Sequence, residues 1–204
     1  FVLDSQLLVT NSSSEGVSIW CVTMVDEVAR QLKRHQDDVF VCSFDWGESE
    51  VVIEPLQFVY GAAHALEIPF FHAATDRWRE WTNDSLVFSM LNAENRKGRL
   101  ALSEAMVADL SQFARTGNPN GANTELPVWH SWSPHPGGPK RLVLDANLTR
   151  AKIRMSQEEL SVAGVRFRLD REPSEIRDHV LTVLTTLHDF VDYERRDYQY
   201  GPAN

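Results

Sequence analysis

Between Ser18 and Gln36 the apolar positions Ile19, Val22, Val25, Val28, Ala29 and Leu32 recur at three- and four-residue steps, the spacing of one helical face. Asp26 and Glu27 come early in this run and Lys33, Arg34 and His35 late, the charge order a helix dipole favours. The pattern predicts a helix over 18–36. The stretch VFVCSF at 39–44 follows, nearly continuous in apolar residues, with Asp37 and Asp38 before it and Asp45 and Gly47 after it. A short run that is apolar on both faces suits a strand covered on both sides, as in a parallel or mixed sheet packed between helices. A helix leading into such a strand predicts the α/β class, with a mixed, mostly parallel sheet.

Farther along, residues 45–60 read as a loop with a short strand at Val51–Ile53 ended by Pro55. Two more helical periods follow, over 84–97 (Leu86, Val87, Met90, Leu91, then Gly98) and over 102–116 (Leu102, Met106, Leu110, Phe113). The second closes in TGNP, where Gly117 can take the left-handed conformation and Pro119 forbids continuation. Residues 118–140 are rich in Pro, Gly and Asn with Trp129 and Trp132 interleaved, an ordered loop pinned by its aromatics, and RLVL at 141–144 reads as a strand. Ser156 and Glu159 have capping-box spacing, with Met155 and Leu160 placed as the staple across it, so a helix is expected over 156–169. Pro173 and Ser174 open a last helix over 174–192, striped by Ile176, Val180, Val183, Leu184, Leu187 and Val191. No internal repeat divides the chain, and 1–204 reads as one unit whose first seventeen residues form an exposed segment.

With 204 residues, 43% of them hydrophobic, the chain can build one substantial core, either a domain or a large piece of one. A formal charge of −9, from 29 acidic against 20 basic residues, would repel a phosphate backbone, so nucleic acid is excluded as a partner. The apolar runs are broken well before the roughly 20 residues of a bilayer span. A soluble protein with no membrane partner is therefore expected, its compartment left open with a lean to the cytoplasmic side. Cys21 and Cys42 lack any ligand or redox spacing and read as two buried thiols, a disulfide between them remaining open. Phe1 where Met would stand reads as processing, cleavage or trimming, and NSSSEG at 11–16 is a soft stretch of the kind proteases enter.

Candidate chemistry centres on GAAHALEIPFF at 61–71. An imidazole, with an ordinary pKa of about 6.5, can take and return a proton near neutral pH. His64 falls on a loop beyond the carboxyl end of the predicted central strand, where open α/β sheets keep reactive groups. The small neighbours Gly61, Ala62, Ala63 and Ala65 leave room beside the ring, and IPFF at 68–71 anchors the loop into the core. A structural histidine, satisfied among apolar neighbours, is the bland alternative. The pair His64 and Glu67 has H-x-x-E spacing, but Ile68 stands where a second histidine ligand would be, so no metal is expected. No cofactor is called for.

HALEIPF at 64–70, FARTGNPN at 113–120, LPVW at 126–129 and LVLD at 142–145, with VFVCSFDW at 39–46 ahead of them, occur in this order. Together they resemble the carboxyl-terminal portion of type-B carboxylesterases, the α/β-hydrolase family that includes the cholinesterases, over about residues 20–150. Ala65 departs from the glycine frequent in animal members, and His72 from an aromatic residue. The resemblance implies an α/β-hydrolase fold and hydrolysis of carboxylic esters by a Ser–acid–His triad, with His64 as general base. Glu67 would hold the histidine loop, and Phe58, Tyr60, Phe70 and Phe71 would wall the substrate pocket or serve as ordinary core. No G-x-S-x-G elbow and no glycine-rich oxyanion segment occur in the sequence, and the family's acid would fall ahead of Phe1. The expectation is therefore a fragment in a heterodimer, whose partner is an amino-terminal portion of the same esterase carrying serine, acid and oxyanion hole. The alternative is a non-catalytic cholinesterase-like adhesion or scaffold module. The terminal helices, 156–192, would either pair two copies or cap the domain's own core.

Overall fold

A computed structural model describes residues 2–5, 25–47, 62, 66–77, 90–121, 125–159 and 174. Its elements are strand β1 (Val2–Ser5), helix α1 (Glu27–Leu32), strand β2 (Val41–Phe44), the short helix α2 (Ile68–Phe71), helix α3 (Arg96–Thr116) and strands β3 (Arg141–Ala146) and β4 (Ala151–Ser156). They form one sheet in the order β1-β2-β3-β4. The first three strands run parallel, Val2 opposite Val41 and Cys42 opposite Leu142, and β4 returns antiparallel with Leu144 opposite Ile153. The α/β class and the mixed, mostly parallel sheet are as the sequence pattern predicts. Among the described residues no helix is long and apolar enough to cross a membrane.

The two-residue period of the strands sorts the core into two faces. Phe40, Cys42, Phe44, Leu142, Leu144 and Ala146 gather on one face with Leu66 and Phe70 from the α2 segment and Leu102 and Met106 from α3. Val39 and Val41 look the other way, onto Val25 and Ala29 beside and within α1 and onto Trp132. Helices therefore cover both faces, which explains why β2 is buried at all four positions and reads as a continuous apolar run. Each fully buried Leu or Phe contributes roughly 1.5–3 kcal/mol, and among the described residues the face toward α2 and α3 holds more of them.

Several boundaries differ from the pattern-based expectation. Regular helix in the first segment ends at Leu32 rather than Gln36, where Lys33 turns toward Asp37 and gives its Nζ to Ser131 Oγ at 2.9 Å. Strand β2 begins at Val41 because Val39 is held by the loop instead, its carbonyl accepting the Trp132 amide at 2.7 Å. The helix expected over 84–97 does not run through 91–95. There the Asn92 side chain accepts the amides of Glu94 and Asn95, both at 3.0 Å, and reverses the chain. Gly98 does not stop that helix but lies inside α3. A Cβ there would sit 1.7 Å from the Asn147 carbonyl oxygen, so only glycine lets the helix meet the β3–β4 turn. The end of α3 is as predicted, with Gly117 at φ 76 and its amide on the Phe113 carbonyl at 2.7 Å.

At 156 the predicted helix start is replaced by the end of β4. Ser156 Oγ accepts the Glu158 amide at 3.1 Å, and Glu159 is drawn to Lys140 at 2.6 Å and to Arg30 instead of closing a capping box. The segment 1–17, expected as an exposed run, contributes strand β1 at 2–5. The strand at 51–53, residues 18–24, 84–89 and, apart from Ser174, the terminal helices from 160 onward lie outside the described residues.

Candidate active site

The stretch that follows His64 is fastened at the carboxyl end of β2. Pro69, in the first turn of α2, has no amide to leave unsatisfied there. Phe70 is fully buried and packs edge-on against Phe44, with centroids 5.0 Å apart at 69°, and at 5.0 Å from the Trp46 ring. These contacts place α2 beside the turn in which β2 ends, where Gly47 takes φ 109. Ala62 and Leu66, two residues to either side of His64, are buried in the same cluster. His64 itself, with Phe58 and Tyr60, lies outside the described residues, as does Cys21; Cys42 is buried in the sheet.

Glu67 stands at the head of α2, 4% exposed, and its carbonyl accepts the amides of Phe70 and Phe71, both at 3.1 Å. Phe71 is half-buried against the same cluster and His72 is exposed at the helix end. Of the residues proposed from sequence, the structure thus brings Glu67, Phe70 and Phe71 onto one short element, with Phe70 serving as core.

Sequence reasoning missed a polar clamp that joins this element to α3. Ser103 Oγ donates to the Phe70 carbonyl at 2.7 Å in a buried setting. Asp76 accepts from Arg96 Nε at 2.8 Å and from Arg99 Nη1 at 3.1 Å. Arg99 is itself buried and also reaches Asn95 Oδ1 at 3.2 Å and the Asn92 carbonyl at 3.1 Å. Burial pulls its guanidinium below the ordinary arginine value, opposed by the Asp76 charge. The signal was present in the sequence: Arg99 and Ser103 interrupt the apolar stripe of Leu102 and Met106, and a polar residue on a core-facing stripe has a partner to find. Among the described residues no three His, Cys, Asp or Glu side chains gather as metal ligands would.

No protein-family model matches the chain, and no curated protein does. Among solved structures it is similar to a PNB esterase, at 23% identity and a TM-score of 0.38, over 67% of this chain and 22% of that one. It is similar also to the carboxylesterase EST55 of Geobacillus stearothermophilus, at 22% identity and a TM-score of 0.40, over 65% of this chain and 22% of that one. The chain thus spans about a fifth of the length of the solved structures it matches.

Proposed function

We propose that this chain is the carboxyl-terminal part of a carboxylic ester hydrolase of the type-B carboxylesterase kind, in which His64 is the general base. The observation that carries the reading is the seating of Leu66–Phe71 on Phe44 and Trp46, which puts the stretch adjoining His64 at the carboxyl end of a central parallel strand. Reactive groups of open α/β sheets gather there, and the ordered motifs HALEIPF, FARTGNPN, LPVW and LVLD support the same reading.

In the proposed reaction His64 takes the proton of a serine hydroxyl as its oxygen attacks the ester carbonyl. The acyl–oxygen bond to the alcohol breaks, and the imidazolium returns that proton to the departing alkoxide. Water, deprotonated by the same ring, then attacks the acyl-serine, the acyl–serine oxygen bond breaks to release the acid, and the imidazolium returns its proton to the serine oxygen. The serine, the triad acid and the oxyanion donors come from an amino-terminal portion held as a second chain. Glu67, buried at the head of α2, holds the histidine loop, and Phe58, Tyr60 and Phe71 border the acyl site beside the core residue Phe70.

Hydrolysis of a short-chain p-nitrophenyl ester by the assembled protein tests this. His64→Ala is expected to lower kcat by at least about 10³-fold, since triad members act jointly. Equal rates for wild type and variant would refute the reading.

A further inference from the structure

Serine is a weaker helix former than alanine, because its hydroxyl competes for nearby backbone groups, and in mid-helix it ordinarily turns back to the carbonyl four residues earlier. Ser103 lies inside the 21-residue helix α3, 3% exposed, and does something else. Its hydroxyl crosses to the Phe70 carbonyl at 2.7 Å. That carbonyl sits at the end of a four-residue helix and already receives the Ala73 amide at 3.2 Å. Ala73 holds φ 51, the left-handed region that is costly for a residue with a Cβ and persists only where the surroundings impose it.

The imposing element is α3. Arg96, Arg99 and Ser103 are spaced three and four residues apart and so share a face. The first two grip Asp76 and the third grips Phe70, so the strained turn is held at both ends. On the other side of α2, Leu66 is buried, and so is Ala62 four residues before it. Only residues 63–65, His64 among them, join those two anchored points. Whatever sets the position of 66–76 therefore sets one end of the histidine stretch.

We infer that Ser103 is a positioning residue for the reaction proposed above: its hydroxyl, carried by α3, fixes the Phe70 carbonyl and with it residues 66–71, the segment that adjoins His64 in the chain. The inference rests on the ester-hydrolase reading. It differs from a packing role because Ser103→Ala removes one oxygen, leaves the methylene in place and improves helix propensity, so the fold is kept while the turn loosens.

The test compares wild type, Ser103→Ala and His64→Ala in the assembled protein, with a short-chain p-nitrophenyl ester as substrate. For Ser103→Ala the expected result is a thermal midpoint close to wild type and kcat lower by about tenfold, less than the 10²-fold a 1 Å misplacement can cost. KM should stay within about twofold, because the loss falls on base geometry rather than on ester binding. The acid limb of the kcat/KM profile, which reports the free base, should move as well. An unchanged kcat and acid limb in Ser103→Ala, with His64→Ala inactive, would overturn this inference and leave the ester-hydrolase reading standing. A fully active His64→Ala would overturn both.

Discussion

The two faces of the sheet hold their helices by different means. Toward α2 and α3 the contact is a broad apolar cluster of Phe40, Phe44, Trp46, Phe70, Leu102, Met106, Leu142 and Leu144, to which hydroxyl and guanidinium clamps add direction. Toward α1 the apolar contact among the described residues is Val25, Ala29, Val39, Val41 and Trp132, and buried charges share the task. Asp26, 1% exposed, accepts from Arg141 at 2.8 Å, and Lys140 lies 4.2 Å from the centre of the Trp132 ring while bonding Glu159 at 2.6 Å. Burial pushes the Glu159 carboxyl up, but its bonds from Lys140 and Arg30 outweigh that and hold it below the ordinary value. An apolar face tolerates loss of area gradually. A charged one fails when one partner is removed, because the other is left buried.

Phe70→Ala breaks the first face at its centre and carries the largest expected effect. It should destabilise by about 4 kcal/mol, with a cavity left between Phe44 and Trp46, and should also abolish hydrolysis by unseating the stretch beside His64; chemical denaturation and the ester assay read the two losses. Asp26→Ala attacks the second face. It should cost about 3 kcal/mol, as removal of one partner from a buried pair does, yet leave kcat per folded molecule unchanged, because the pair lies across the sheet from α2. A kcat loss matching that of Phe70→Ala would erase the distinction between the faces.

The smallest effect is a pH dependence on α3. Burial raises the Asp109 carboxyl to about 6, above the roughly 3.9 of an unfolded chain. The charged form is therefore penalised only in the folded state. The penalty is complete above about pH 6, shrinks as pH falls through the folded value and is gone below about pH 4. With allowance for a side chain that is only partly buried, Asp109→Asn should stabilise by about 1 kcal/mol at pH 8 and by nothing at pH 4. Equal gains at both pH values would mean that the carboxylate is not the source.

The parts of the fold legible in the sequence are those whose local chemistry and tertiary surroundings agree. VFVCSF and RLVL are mostly apolar and hold the strands β2 and β3, buried on both sides, and TGNP closes α3 by backbone geometry alone. Strand β4 was hidden although Ile153 and Met155 alternate with the exposed Lys152 and Arg154, because Ser156 and Glu159 imitate a capping box. Glu159 instead answers two cations brought from residues 30 and 140, which no local pattern encodes. Gly98 likewise reads as a stop until the Asn147 carbonyl lies against it. At the candidate site, IPFF was legible as an anchor and is one. Ser103 and Arg99 break an apolar stripe and so announce that they have partners, but not which, since Phe70 and Asp76 lie 33 and 23 residues earlier in the chain.

The most direct test of the central claim, that His64 activates a serine supplied from outside these 204 residues, is the rate of labelling by a fluorophosphonate, located by mass spectrometry. The account predicts rapid modification of a serine on the companion chain and none on this one, slowed by at least about 10³-fold in His64→Ala. Label on a serine of this chain, or labelling at the same rate in the variant, would contradict it.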